Sequence, residues 1–172
     1  MSGLFGGGGK AQNTENVAPV VGNLRLGTSA MGSPYTICLG TNRVSPNLLW
    51  YGDFTPVAIY TRTSSGGGGG KGGGGGNTVT TNVSWVYTVR ALQALCEGPV
   101  ENIGLVWDGK NQNLFGTTTL DFAPGDYAQN PWAYLTSNFP GQDLAYRGIS
   151  YIYGQLDLGD NPSLPNFSFE VY

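Results

Sequence analysis

Residues 83–90 read Val-Ser-Trp-Val-Tyr-Thr-Val-Arg, and this stretch decides the fold class. Apolar side chains stand at every second position from Val83 to Val89, with mostly polar side chains between them. Because successive side chains of a β-strand point to opposite faces of a sheet, this period of two predicts a half-buried strand. The continuation Ala91–Cys96 favours helix as much as strand, since Ala and Leu are good helix formers.

A second long strand is predicted immediately downstream. Val100–Trp107 alternates in the same way, and the Asp108-Gly109 pair is typical of the turn that ends such a strand. Only Gly98-Pro99 and its neighbours separate this run from Val83–Cys96. We therefore expect the two runs to form one long hairpin.

Most of the remaining chain has the pattern of short strands. Gly52-Asp53 is typical of a turn, and Pro131–Asn138, with Asn130 as its N-cap, favours one short helix. The composition of these segments predicts a mainly β fold, a β-barrel or β-sandwich with long hairpins and at most one or two short helices. The further predicted strands are Val21–Leu26, Pro34–Leu39, Leu48–Tyr51, Val57–Tyr60, Ile149–Tyr153 and Phe167–Val171.

Glycine and polar residues mark the segments outside this sheet. Two glycine blocks, Gly66–Gly70 and Gly72–Gly76, flank Lys71. Glycine loses more backbone entropy on ordering than any other residue, so we expect a flexible glycine-rich loop over residues 64–78 that projects from the sheet. Residues 1–18 are polar and glycine-rich, which predicts an extended N-terminal arm that is flexible or docked on a partner.

The bulk composition points to assembly with other chains. The 172 residues fit one domain, which we place at residues 19–172. Charged residues make up 11% of the chain, against about 25% in ordinary soluble proteins, while Tyr and Trp are abundant. This balance is typical of surfaces that neighbouring subunits cover. The net charge of −3 and the scattered basic residues do not favour nucleic-acid or membrane binding, and no stretch has the apolar length of a membrane span.

The residue types exclude most catalytic chemistry. The chain has no histidine, which removes Ser–His and Cys–His nucleophiles and histidine-containing zinc sites. Cys38 and Cys96 lie in apolar contexts, and we expect buried free thiols rather than a disulfide. Asp157 and Asp160 could form an acid–base pair, but their neighbours Gly159 and Asn161 favour turn chemistry. We therefore expect no enzyme and no catalytic, cofactor or metal site.

Aromatic residues and the glycine-rich loop supply the candidate contact residues. Trp132 lies in a loop and is the best candidate for an exposed anchor, whereas the other tryptophans fall on strand faces. An alternative is that the tryptophans stack on sugars, as in a carbohydrate-binding β-sandwich. The candidate subunit-interface residues are Trp85, Tyr87, Val89, Trp107, Trp132, Gly66, Lys71 and Gly76.

Several motifs spread along the chain occur together in one family. The more specific ones are Leu-Cys-Glu-Gly-Pro-Val at 95–100 and Asn-Phe-Ser-Phe-Glu-Val at 166–171. With them, the chain resembles the N-terminal region of the tail-tip or baseplate hub proteins of long-tailed phages, the class that includes the lambda-type tip attachment protein. Such proteins run for many hundreds of residues, so we expect this chain to be the leading part of a longer one. The other matching segments are Met1–Gly9, Leu48–Phe54, the Gly-Lys-Gly block, Ile103–Trp107, Pro131–Leu135 and Pro140–Gln142.

The resemblance implies a structural role in a virion. It implies tail-tube-like β-barrel units in a homotrimeric hub, which closes the distal end of the tail tube and opens for genome ejection. The implied partners are the distal tail protein ring, the tape-measure protein, and tip or fibre proteins that serve host attachment. Assembly would take place in the host cytoplasm, without cofactors, sequence-specific nucleic acid or direct membrane insertion by this segment. An independent small minor tail protein is the nearest alternative.

Overall fold

The computed structural model describes residues 12–26, 35–65 and 78–172. Strands take up 58% of the described residues and helix 6%, which confirms the mainly β class. A 3-10 turn, Phe115–Thr117, follows the seventh strand. Numbered in chain order, the elements are β1 (Gln12–Val17), β2 (Thr36–Ile37), β3 (Asn42–Val44), β4 (Asn47–Ser65), β5 (Thr78–Glu97), β6 (Ile103–Asp108), β7 (Asn111–Leu114), β8 (Leu120–Ala123), α1 (Ala133–Asn138), β9 (Ile149–Gly159) and β10 (Phe167–Val171).

These strands form two sheets, and β5 is the central strand of the larger one. On one side, β5 pairs with β4 and, at its C-terminal end, with β2. On the other side, it pairs with β9 and, at its N-terminal end, with β1. β8 pairs with the far side of β9. The second sheet is antiparallel and has the order β3-β10-β6-β7. Within the described residues neither sheet closes into a barrel. Of the two predicted alternatives, β-barrel and β-sandwich, the fold is therefore the β-sandwich.

The main apolar core lies between the two sheets. The first sheet contributes alternate residues of β5, such as Val89, and Ile152 of β9, and the second contributes Val106 and Phe169. These four side chains are between 0% and 3% exposed. The ring of Phe169 meets that of Phe115 nearly edge-on, with centroids 6.2 Å apart. The period of two in β5 therefore places one row of side chains in this core.

The opposite face of the first sheet carries a second, aromatic-rich cluster. Leu135 of α1 and Tyr151 of β9 are both fully buried in it. The ring of Trp132 lies 6.0 Å from that of Trp50 and 5.3 Å from that of Tyr153, measured between centroids. Helix α1 therefore covers the sheet face that the second sheet leaves open.

The predicted hairpin of Val83–Cys96 and Val100–Trp107 is wrong. Both edges of β5 are occupied, by β4 and by β9, so β5 has no free edge for the next strand. The chain instead leaves the first sheet at Gly98, which has a positive φ of 91°, and β6 joins β10 and β7 in the second sheet. The Gly98-Pro99 segment is therefore a crossing between sheets. The predicted turn at Asp108-Gly109 is present, between β6 and β7.

The predicted turn at Gly52-Asp53 is also wrong, because β4 runs through it. The register against β5 shifts between Gly52 and Thr55, and Asp53 has a positive φ of 51°. These features describe a β-bulge, which bends a strand without ending it. A Cβ on Gly52 would lie 2.5 Å from the ring of Trp50, so a larger residue at this point would have to displace that indole.

The other elements differ from the predictions mainly in length. Val21–Leu26 forms an isolated bridge at Arg25 rather than a strand, and Pro34–Leu39 contributes the short β2. The uncertain segment Ala91–Cys96 continues β5. Helix α1 lies within the predicted range, but its N-cap is Trp132, without a side-chain cap bond. In the predicted N-terminal arm the described residues Gln12–Val17 form β1, a strand of the first sheet.

Candidate subunit interface

The first sheet extends beyond the sandwich as a three-stranded ribbon. β9 pairs with β5 only from Tyr87 to Glu97. Between Thr78 and Val86, β5 pairs with β4 on one side and, over the six residues Thr78–Val83, with β1 on the other. Nine residues at about 3.3 Å each give this extension a length of roughly 30 Å. We call the part made of Gln12–Val17, residues 57–65 of β4 and residues 78–86 of β5 the ribbon.

The sequence of the ribbon explains why it stays extended. Residues 78–83 of β5 read Thr-Val-Thr-Thr-Asn-Val, and β4 carries Thr61 and Thr63 opposite them. β-Branched side chains lose χ1 freedom in helices and pack well on a pleated surface, so they favour strands. Asn16 of β1 donates a side-chain hydrogen bond of 3.1 Å to Asn82, which links the outer strand to the central one.

The base of the ribbon is anchored to the sandwich. The indole Nε1–H of Trp85 donates a hydrogen bond of 2.9 Å to the carbonyl of Ala18. The backbone N–H of Val21 donates to the hydroxyl of Tyr87 at 3.1 Å, and the Tyr87 ring stacks on Phe54 with centroids 5.4 Å apart. The segment that follows β1 thus lies against this end of β5 and fixes the direction in which the ribbon leaves the body.

Both outer edges of the ribbon are open within the described residues. There β4 pairs only with β5, and β1 does the same, so each presents a row of backbone N–H and C=O groups to its free side. Natural proteins protect such edges with bulges, prolines and charges, because an open edge is a template for another strand. In β4 the bulge at Gly52–Thr55 and Pro56 lie at the sandwich end, and Val57–Ser65 contains one charged residue, Arg62.

Apolar side chains are exposed on both faces of the ribbon. Val57 and Ile59 share one face of β4 and are 45% and 44% exposed. Tyr60 points to the other face at 66% exposed, where Val17 of β1 is also exposed. Apolar groups around an open edge are typical of a surface that another chain covers. The ribbon is therefore the candidate subunit interface.

The aromatic residues predicted as interface do not form one surface. Tyr87 and Val89 are 3% and 0% exposed, so their side chains hold the sandwich together and could meet a partner only if the sheets separated. Trp85 lies half-buried at the ribbon base. Trp107 belongs to the second sheet, with the guanidinium of Arg43 stacked over its ring at 4.2 Å.

Trp132 belongs to the aromatic cluster on the other face of the first sheet. It is half-buried and packs against its neighbours, so it is not the exposed anchor that its loop position predicts. Gly66, Lys71 and Gly76 lie outside the described residues. The exposed residues Val57, Ile59 and Tyr60 were recognised in the sequence as a strand but not as a contact surface.

Burial keeps several titratable groups of the chain neutral. It raises the pKa of Tyr151 to about 12, and it also raises the pKa of Tyr153, with the nearby Asp121 adding to the effect. Cys38 and Cys96 are free thiols, as predicted, but only Cys96 is buried, whereas Cys38 is half-buried. Burial, together with Cys96, raises the pKa of the Cys38 thiol to about 11, which lowers its thiolate fraction and hence its reactivity.

Two further properties concern the described part of the chain. None of its Cys, Asp and Glu side chains come together in a group of three or more that could bind a metal ion. No helix among residues 12–26, 35–65 and 78–172 is long and apolar enough to cross a membrane.

Comparison with known proteins yields a distant structural likeness. No protein-family model matches the chain, and no curated protein matches it. One solved structure with a similar fold is a chain from the virion of a native gene transfer agent particle, with a TM-score of 0.44 and 15% sequence identity. The alignment covers 95% of this chain and 29% of that one, so this chain spans less than a third of its neighbour's length.

Proposed function

We propose that the chain is a structural virion protein of a long-tailed phage, in the central hub of the tail tip or baseplate. The ribbon carries the proposal, because its two edges, which are open within the described residues, and its exposed apolar faces need other chains to cover them. The sequence motifs at 95–100 and 166–171 support the hub in particular, since they resemble those of tail-tip proteins. The low content of charged residues, 11%, agrees with a chain that is mostly surrounded by neighbours.

In this role the ribbon works by strand addition. A strand of another subunit pairs with the free edge of β4 or β1, so that backbone groups of both chains are satisfied and the sheet continues across the interface. Val57 and Ile59 then become buried beside the new strand. A ring of three copies joined in this way leaves no open edge on the ribbons, which agrees with a hub that seals the distal end of the tail tube.

The proposed partners follow from that position. The hub joins the distal tail protein ring above it, contacts the tape-measure protein in the tube, and holds tip or fibre proteins below. Its work is to close the tube before infection and to open it for genome ejection. No bond is made or broken in the chain, and no cofactor takes part.

The ribbon can be tested with one charged substitution. In Ile59→Lys the new charge has to leave water when a strand is added, whereas it stays solvated in the free chain. We expect the free chain to keep its stability within about 0.5 kcal/mol and incorporation into particles to fall at least tenfold. Incorporation is measured by quantitative mass spectrometry of purified particles, and folding by circular dichroism.

Leu114→Lys is the matched control, because Leu114 is likewise an exposed apolar strand residue, on β7 of the second sheet. Normal incorporation of Ile59→Lys would refute the ribbon as the interface. Native mass spectrometry of the assembled protein then tests the hub: three copies agree with it, whereas six copies indicate a ring and one copy an independent minor tail protein.

A carbohydrate-binding module requires exposed aromatic platforms. Trp50 and Trp132 are instead half-buried against each other, and the indole Nε1–H of Trp50 donates to Gln142 at 2.8 Å. The two rings therefore serve packing. Binding of the chain to a glycan array would restore this alternative.

A further inference from the structure

The outer face of the second sheet carries a shallow recess with a volume of about 340 Å³. In the register of this sheet, Ser168 of β10 lies opposite Trp107 of β6 and shares its face, whereas the next residue, Phe169, points into the core. The recess is therefore on the side of the second sheet that faces away from the first. We call it the arginine recess and define it by its lining residues, Arg43, Ser45, Gly109, Asn166, Phe167 and Ser168.

Arg43 is the one charged residue among the described residues that line this recess, and its guanidinium is held by two contacts. The Nε–H donates a hydrogen bond of 2.7 Å to Oγ of Ser168, and Cζ lies 4.2 Å from the centre of the Trp107 ring. One contact fixes an edge of the guanidinium and the other fixes a face. The two Nη groups remain, and they form the fork that matches the two oxygens of a carboxylate.

Two donors of the arginine recess lack an acceptor within the part of the chain that the structure describes. Arg43 forms no ion pair there. Glu170 lies directly opposite Arg43 in the β3–β10 register, but its Oε2 accepts instead from the hydroxyl of Tyr172 at 2.7 Å. Ser168 is 8% exposed, and because its Oγ accepts from Arg43, its own hydrogen is left without an acceptor among the same residues. A buried donor without an acceptor costs free energy, so the recess requires a ligand that accepts hydrogen bonds.

We propose that the arginine recess binds the carboxylate of an aspartate or glutamate side chain on a neighbouring polypeptide. The Nη groups of Arg43 donate to its two oxygens, and the hydroxyl of Ser168 supplies a further donor. One guanidinium neutralises the single charge of a carboxylate, whereas a phosphate monoester carries nearly two negative charges. The inference rests on the proposed function for its setting, a chain surrounded by neighbours, but it uses no residue of the ribbon.

The exposure of the recess favours a group on a protein surface over a free small molecule. Arg43, Ser45, Gly109 and Asn166 are all exposed, so a ligand at this place keeps much of its surface in water. Small-molecule sites usually bury about 70–90% of their ligand. A side chain of a neighbouring protein needs less enclosure, because the rest of the interface holds it in place. Arg43 is already positioned, which lowers the entropy lost on binding.

Titration of the free chain with acetate tests the chemistry of the recess. The reporter is the NMR resonance of the Trp107 indole N–H, assigned with Trp107→Phe, and acetate replaces chloride at constant ionic strength. We expect a saturable shift in the wild-type chain. Asn166→Asp adds a negative charge to the lining at nearly unchanged shape, so the half-saturating acetate concentration should rise at least tenfold. Asn102→Asp, at an exposed position before the opposite end of β6, is the matched control and should leave this concentration unchanged.

Arg43→Lys separates the guanidinium fork from its charge. Lysine keeps the positive charge but cannot donate two parallel hydrogen bonds, so acetate binding should again weaken at least tenfold. Lys110→Gln removes an exposed cation next to Gly109 and should leave acetate binding unchanged. Urea midpoints show whether each variant folds, and Asn166→Asp keeps the test decisive if Arg43→Lys does not. A wild-type chain without a saturable acetate shift, or phosphate that binds at least tenfold more tightly than acetate, would overturn the proposal.

Incorporation into particles tests whether the carboxylate belongs to a neighbouring chain. We expect Asn166→Asp to be incorporated at least tenfold less than Asn102→Asp, because two negative charges then meet at the contact. Equal incorporation of these two variants would overturn a neighbouring side chain as the ligand. If Ile59→Lys is excluded from particles while Asn166→Asp is incorporated normally, the proposed function stands and this inference fails. If Asn166→Asp is excluded while Ile59→Lys is incorporated normally, the recess stands and the ribbon fails as the interface.

Discussion

The two halves of β5 have the same pairing but opposite surroundings. Residues 91–96 are buried at every position, whereas Thr78–Thr81 are half-exposed, although both halves have a strand on each side. Hydrogen bonding therefore does not distinguish them. The difference is that a second sheet and α1 cover the faces of the first half, and no described element covers the tip of the second. Strand pairing extends a sheet, while packing of its faces completes a fold.

The strongest test of this difference is a pair of truncations. Phe169→Ala removes a fully buried ring from the core, and we expect a loss of about 3–5 kcal/mol in the free energy of unfolding. Tyr60→Ala removes an exposed ring from the ribbon and should change the free energy of unfolding by less than about 0.5 kcal/mol. Urea denaturation of the free chain measures both. Similar losses would mean that the ribbon is packed in the free chain, and the two halves of β5 would no longer differ.

Amide hydrogen exchange sharpens the same comparison along one strand. In the free chain we expect the amides of Thr78–Val83 to exchange at least tenfold faster than those of Ala91–Cys96, because opening the ribbon exposes little apolar surface. In assembled particles the ribbon amides should become protected. Equal protection in the free chain would contradict an uncovered ribbon.

The pH dependence of stability gives a smaller effect. Burial raises the pKa of Tyr151 to about 12, above its ordinary value near 10, so the folded chain keeps this proton where the unfolded chain has lost it. The contribution of Tyr151 to the free energy of unfolding is fully present below about pH 10 and decreases as the pH rises toward 12. Urea midpoints between pH 8 and 12 measure the decrease. Tyr151→Phe should reduce it, and an identical slope in the two chains would contradict the assignment.

Much of the fold could be predicted from local patterns. The period of two in residues 83–90 predicted β5, Phe167–Val171 coincides with β10, and Pro131–Asn138 contains α1. Such patterns show that a segment is a strand but not which strand it pairs with. The hairpin at Gly98-Pro99 was wrong for this reason, since the occupied edges of β5 depend on segments distant in sequence.

The candidate interface was less predictable than the fold. Tyr87 and Ile59 look alike in sequence, because an alternating apolar residue of a strand is buried or exposed according to whether another layer covers it. Tyr87 is covered by Phe54 and by the segment that follows β1, whereas Ile59 is 44% exposed.

The continuity of β5 has a mechanical consequence. One strand runs from the ribbon tip to the centre of the sandwich, and β4 is bonded to it along nearly its whole length. A force applied to the ribbon along the strand direction therefore loads many backbone hydrogen bonds at once, in shear, rather than breaking them one after another. Tension at a neighbouring subunit would reach the interior of this one without a hinge to absorb it.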